Sequence, residues 1–152
     1  MNLEALARRM ESLNLTQTSA IVGELARASS TEKETSLEFL ERLLEAEFIA
    51  KEERRIATSL KLSGLPKMMR LEDYDYLFQP AVERDRIEYL GTGDFLEKKE
   101  NVLFFGPPGV GKTHLAAGLG VRAVELGHSV SYYTAEELML HLKRRSDTPV
   151  SW

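Results

Sequence analysis

The run Asn101-Val102-Leu103-Phe104-Phe105-Gly106-Pro107-Pro108-Gly109-Val110-Gly111-Lys112-Thr113 governs how the rest of the chain is read. Val102 to Phe105 are continuously apolar, the pattern of a short strand buried on both faces. After the glycine-rich turn, Leu115, Ala116, Leu119, Ala123 and Leu126 keep helical spacing until Gly127 ends the helix. The turn itself fits G-x-x-x-x-G-K-[ST] without interruption, between a strand pattern and a helix pattern. Glycines allow the backbone angles and close approach by which successive amides wrap a phosphate. A helix starting near Lys112 turns its positive dipole end toward the same anion. Lys112 can reach the outer phosphates as a point charge, and the Thr113 hydroxyl can ligate Mg²⁺, which prefers oxygen.

Beyond this helix, Val130 to Tyr133 read as a second strand, and Thr134-Ala135-Glu136-Glu137 as a capping box opening a helix to about Arg145. The succession βαβα predicts an α/β fold with a parallel sheet. Gly118 and Gly120, each costly inside a helix, predict that this helix packs closely on that sheet.

Upstream the period is helical. Leu3, Leu6 and Met10, then Ile21, Val22, Leu25 and Ala28, predict a two-helix start. Thr31-Glu32-Lys33-Glu34 fits a capping box, and Leu37, Leu40, Leu44, Phe48, Ile56 and Leu60 predict one long helix with a single apolar face, running to Lys61 and stopped by Ser63-Gly64-Leu65-Pro66. Between the two patterned regions, Leu71 to Phe78 cluster aromatics, Tyr74, Tyr76 and Phe78 alternate, and a short helix is predicted from Ala81 to about Leu90. The chain divides accordingly into a helical N-terminal domain over 1–64, a linker with an aromatic segment and short helix over 65–100, a partial P-loop core over 101–145, and an atypical tail over 146–152.

With 152 residues the chain has room for one domain, or a small one and part of another, which excludes a large multidomain enzyme. Lys and Arg total 20 against 24 Asp and Glu, a formal charge of −4, and 43% hydrophobic with 29% charged residues is the mix expected of a soluble globular protein and not of a disordered acidic tail. The absence of cysteine removes disulfides, thiolate zinc sites and cysteine nucleophiles. No stretch approaches the ~20 apolar residues of a membrane helix, and the opening residues lack a secretory pattern, so a cytoplasmic location is expected.

Other candidate groups carry less. His114, His128 and His141 have no metal-ligand spacing. His114 is grouped with the loop as a nucleotide-site residue, with packing or a polar contact as its expected part, and no metal is assigned to histidine. Lys51 with Arg54 and Arg55, and Lys143-Arg144-Arg145, could touch DNA phosphates. Residues 1–65 nevertheless hold 9 basic and 11 acidic side chains, and cations near a helix C-terminus are stabilising on their own account.

Several stretches together resemble one family. Ser36 through Glu47 (SLEFLERLLEAE), Arg54-Arg55-Ile56-Ala57, Leu62-Ser63-Gly64-Leu65-Pro66, Phe78-Gln79-Pro80 and Gly106 through Leu115 (GPPGVGKTHL) are similar, in order and without large gaps, to the IstB-like ATP-binding proteins. These are transposition helpers of insertion sequences, related to DnaC-type replicative helicase loaders within the AAA+ ATPases. The resemblance implies a helical region that engages DNA or a transposase, followed by an AAA+ domain that binds ATP and Mg²⁺, self-assembles into oligomers on DNA and directs the transposase. It implies a phosphate and metal site at Gly106, Pro107, Pro108, Gly109, Val110, Gly111, Lys112, Thr113 and the adjoining His114, with Thr113 on Mg²⁺. It also implies that the segment around Tyr74 to Phe78 lies near the nucleotide base.

The family pattern then stops short. Only 39 residues follow Thr113, whereas an AAA+ core needs about three more strands with their helices at ~30 residues for each unit. No apolar strand ending in Asp-Glu follows the loop, and the sensor residue and arginine finger of the family are missing as well; Glu136-Glu137 reads as a cap. The expectation is a C-terminally truncated, incomplete AAA+ sheet domain, its two strands left with open edges because the strands that separate them in the family lie beyond this sequence. ATP hydrolysis is expected only if a longer product or another subunit supplies those parts. The alternatives are a non-catalytic helical module or remnant that binds DNA or a partner, and a fragment of a helicase loader acting on a replicative helicase.

Overall fold

The computed structural model describes residues 2–29, 34–66 and 69–146. The helices are α1 (Leu3–Ser12), α2 (Thr16–Ser29), α3 (Ser36–Ser63), α4 (Arg84–Gly91), α5 (Asp94–Glu97), α6 (Lys112–Glu125) and α7 (Ala135–Ser146), with a 3₁₀ turn at Leu71–Asp73. The chain divides into two compact units, residues 1–55 and 56–152.

In the first unit, α1 starts at Asn2, whose side chain accepts the Glu4 amide at 3.0 Å, and α2 follows after the turn at Asn14, which takes φ +59°. The expected box at Thr31 to Glu34 falls mainly on residues outside the described ones. A reciprocal box stands one step on. Thr35 N–H donates to Glu38 Oε2 at 2.7 Å and Glu38 N–H to Thr35 Oγ1 at 3.3 Å, so α3 begins at Ser36.

The face of α3 that periodicity marked for the core is not the buried one. Leu37, Leu40, Leu44 and Phe48 are 74, 47, 49 and 69% exposed, whereas Leu43 and Glu47, one turn apart, are each 3% exposed. The reason is electrostatic as well as apolar. Glu47 Oε2 accepts the Thr18 amide at 2.8 Å, in the first turn of α2, where a helix favours an anion. Burial works against the Glu47 carboxylate, but the Thr18 amide and hydroxyl and the nearby Lys51 charge together hold its pKa below the ordinary range. Val22, one turn along α2 from Thr18, is also 3% exposed and completes this small core.

In the second unit the parallel sheet expected of an α/β fold is not found. Among the described residues no β-strand forms. Residues 101–105 and 130–133 run without regular structure and do not pair with each other. A strand exists only by hydrogen bonding to a neighbour about 4.7–4.9 Å away, and an apolar run supplies side chains for a sheet but not the neighbour. Tyr132 N–H donates instead to Ser63 O, at 2.7 Å, at the end of α3. Alternation survives in the first segment: Val102 and Phe104 are half-buried, while Leu103 and Phe105 are 73 and 87% exposed.

The core of this unit forms between α6 and the connector. Tyr74, Ile87 and Leu115 are its buried members, with Leu71, Tyr76, Val82, Leu90 and Phe104 packed around them. Leu119, Val121, Ala123 and Val124 continue the buried face of α6. Gly118 and Gly120 are close-packed as expected, but not on a sheet: a Cβ at Gly118 would stand 2.8 Å from Leu71 Cδ2, and one at Gly120 2.8 Å from Leu65 Cδ2. Leu65 and Leu71 therefore lie against α6 where a sheet was expected.

The short helix α4 starts at Arg84, three residues later than expected from Ala81. Its N-cap residue, Glu83, makes no side-chain capping bond, and Val82 N–H closes a turn on Gln79 O at 3.1 Å. The box before α7 forms as read: Thr134 N–H donates to Glu137 Oε2 at 2.8 Å and Glu137 N–H to Thr134 Oγ1 at 3.2 Å. The tail beyond Ser146 lies outside the described residues.

Candidate functional site

The loop from Gly106 to Gly111 bends sharply into α6, with Gly111 as the N-cap residue at φ +83° and Gly109 at φ +85°. An added Cβ at Gly109 would meet nothing within 4 Å, so the loop is open on that side. At Gly111 it would stand 2.6 Å from Cε2 of Tyr74. Two glycines of one motif thus answer to different demands: one to backbone angle alone, the other to angle and to a ring packed against it.

Lys112 extends back across the loop. Its Nζ donates to Gly106 O at 2.8 Å and to Pro107 O at 2.6 Å, which holds the ammonium at the start of the turn that its own helix closes. Thr113, in the first turn of α6, is exposed. Pro107, Pro108 and Gly109 are exposed as well, and Val110 is half-buried with its carbonyl accepting the Tyr74 hydroxyl at 2.8 Å. The loop, the α6 N-terminus and one ammonium together present positive potential on an open surface, the chemistry that a polyphosphate requires.

His114 turns toward the connector. Its Nε2 lies 2.7 Å from Arg70 O, and its ring meets Tyr74 edge to face at a centroid distance of 5.6 Å. Tyr74 is 8% exposed and also meets Tyr76 edge to face at 4.9 Å. Arg84 lies over the Tyr76 ring at 5.6 Å and pairs with Glu88 at 2.7 Å. Burial raises the Tyr76 hydroxyl above its ordinary pKa, and the nearby Arg84 charge offsets this only in part. Leu71, Tyr74, Tyr76, Arg84 and Arg122 line an open cleft of about 460 Å³.

The family resemblance places the segment around Tyr74 to Phe78 near the nucleotide base, but which of its rings meets the loop does not follow from the sequence. The alternation of Tyr74, Tyr76 and Phe78 was visible, but of the three Phe78 is 70% exposed and Tyr74 reaches a loop 36 residues on. Local pattern does not encode such a contact. The basic cluster on α3 is partly engaged within its helix, with Arg55 on Glu52 at 2.7 Å and Lys51 3.9 Å from Glu47. Among the described residues no three His, Asp or Glu side chains gather as a metal site, and no helix is long and apolar enough to cross a membrane.

The sequence pattern of the IstB-like ATP binding proteins matches residues 8–149, which covers the loop, the connector and most of the helical region. The chain belongs to this family. It is 44% identical over 120 residues to a protein of Geobacillus stearothermophilus named as an ATP-binding protein of insertion sequence IS5376, covering 79% of this chain and 48% of that one. A Pseudomonas aeruginosa relative, named for insertion sequence IS21, is 41% identical over 107 residues, 70% of this chain and 40% of its own length. A third, from Bacillus thuringiensis subsp. berliner and named for IS232, is 30% identical over 141 residues, 93% of this chain and 56% of its own. The chain thus spans about half the length of the curated relatives it matches.

Proposed function

We propose that residues 106–113 bind ATP with Mg²⁺, and that the chain thereby assists a transposase in moving an insertion sequence on DNA. The observation that carries the nucleotide part is Lys112 Nζ lying across Gly106 O and Pro107 O at the mouth of an open, glycine-bent loop. Membership of an ATP-binding family and relatives named for insertion sequences support the rest. In this reading loop amides and the α6 N-terminus cradle the phosphates while Lys112 exchanges its carbonyl partners for phosphate oxygens. Mg²⁺ would supply charge neutralisation on the phosphates when bound, and Thr113 Oγ1 would be the side chain that holds it. Hydrolysis by these 152 residues alone is not expected, because no strand ending in Asp-Glu follows the loop to orient a water molecule.

Titration of labelled ATP with magnesium against the full chain tests the reading. Saturable binding that weakens at least about tenfold in Lys112→Ala is expected, since a charge-assisted phosphate contact is lost. An absence of saturable binding, or equal affinity in the variant, would overturn it.

A second reading is a helical module that captures its protein partner without nucleotide. The exposed stripe of Leu37, Leu40, Leu44 and Phe48 on α3 favours it. The two separate on one comparison: capture of the transposase by Lys112→Ala as strong as by the unaltered chain supports the module, and capture dependent on Lys112 and ATP supports the first reading.

A further inference from the structure

We propose that Tyr74 is a positioning residue for the phosphate-binding loop, through which the connector before α4 sets how tightly the loop holds a nucleotide. The inference rests on the nucleotide reading above and adds to it a residue outside the motif. Three contacts converge on one side chain. The hydroxyl donates to Val110 O at 2.8 Å, turning a carbonyl of the loop toward the connector. The ring edge occupies the space beside Gly111, where a Cβ would stand 2.6 Å away. The ring also meets His114, one helical residue beyond Thr113, at 5.6 Å.

These contacts bear on a loop that is otherwise open. Pro107, Pro108 and Gly109 are exposed, and Gly109 has no neighbour in reach of a Cβ. A loop with that freedom loses conformational entropy when its amides converge on a phosphate, and a buttress that already holds Val110 and Gly111 reduces that loss. The buttress is itself fixed. Tyr74 is 8% exposed and packs with Ile87 and Leu115, and the preceding residues are tied to α6 by His114 Nε2 against Arg70 O at 2.7 Å and by Arg70 paired with Glu125 at 3.0 Å. Anything that moves residues 70–74 therefore moves the loop, and nucleotide at the loop acts back on the connector with the same coupling.

The test compares Tyr74→Phe with Tyr89→Phe in the full chain. Both lose one hydroxyl and keep the ring, but the Tyr89 hydroxyl serves Asp94, away from the loop motif. Two readouts are taken: affinity for ATP with magnesium, and hydrogen exchange of the Val110 to Thr113 amides without nucleotide. For Tyr74→Phe the expected results are an affinity loss of about fivefold, that of one ordinary hydrogen bond, faster exchange in the loop and an unchanged thermal midpoint. For Tyr89→Phe neither readout moves. Equal affinity and equal exchange in Tyr74→Phe overturn the proposal, as does an equal change in both variants. If the unaltered chain binds no ATP, the nucleotide reading fails, and exchange alone judges the buttress: faster exchange in Tyr74→Phe keeps it, and unchanged exchange removes it. If Tyr74→Phe lowers the midpoint, His114→Gln, which leaves the Tyr74 hydroxyl bond and removes the neighbouring ring, replaces it with the same exchange criterion.

Discussion

Gly109 and Gly111 have almost the same backbone, φ +85° and +83°, yet stand in different surroundings. At Gly109 an alanine meets no neighbour and suffers only the left-handed backbone, which costs about 1–2 kcal/mol. At Gly111 the same methyl group also enters the Tyr74 ring, 2.6 Å away, so the ring or the loop must move. Gly111→Ala is accordingly expected to destabilise the chain more than Gly109→Ala, measured by chemical denaturation; equal losses would mean that the ring yields freely. Lys112 and Tyr74 stand in the same contrast of local and distant causes. The motif spelled out Lys112 from its own neighbours in sequence, whereas the role of Tyr74 depends on Val110 and Gly111, more than thirty positions away.

The elements that reading located well are those whose ends are held by nearby side chains. Thr134 and Glu137 exchange bonds at 2.8 and 3.2 Å, and α7 begins where that box predicts. The Thr134 amide, and after it the hydroxyl, hold the Glu137 carboxyl below its ordinary value of 4.5. A depressed carboxyl contributes stability that is present above pH 4.5 and is lost as pH falls through the lower folded value. Acidification below pH 4.5 is therefore expected to lower the protection of the first-turn amides of α7, taken relative to the intrinsic exchange rate at each pH, and Glu137→Gln to remove that dependence there. A pH-independent first turn in the unaltered chain would contradict the assignment. On α3 a box of the same type stands at Thr35 and Glu38. Which side of α3 is buried could not be read from its own period, because the choice was made by α2. A stripe of leucines lost to a face bearing one leucine and a carboxylate that caps another helix.

At the level of the whole chain, segments 101–105 and 130–133 carry sheet-like sequences without a sheet among the described residues. Leu103 and Phe105 are left 73 and 87% exposed, and on α7 Leu138, Met139, Leu140 and Leu142 are 44 to 61% exposed. Exposed apolar surface of this extent binds hydrophobic dyes and promotes association. Replacing Leu103 and Phe105 together by lysine is expected to lower dye binding and sedimenting aggregate without a measurable loss of stability, because surface positions contribute little to folding. A large loss of stability would show that both side chains are covered in solution.

The phosphate-loop motif and the cap before α7 rest on residues close together in the chain, where a few torsions and short hydrogen bonds settle the geometry. They were therefore readable before any coordinates. Whether an apolar run becomes a strand, which side of a long helix is covered, and which aromatic ring supports the loop depend on partners distant in sequence. Those outcomes follow from which surfaces meet when the chain compacts, and only the folded arrangement of α2 against Glu47, and of Leu65 and Leu71 along α6, supplied them.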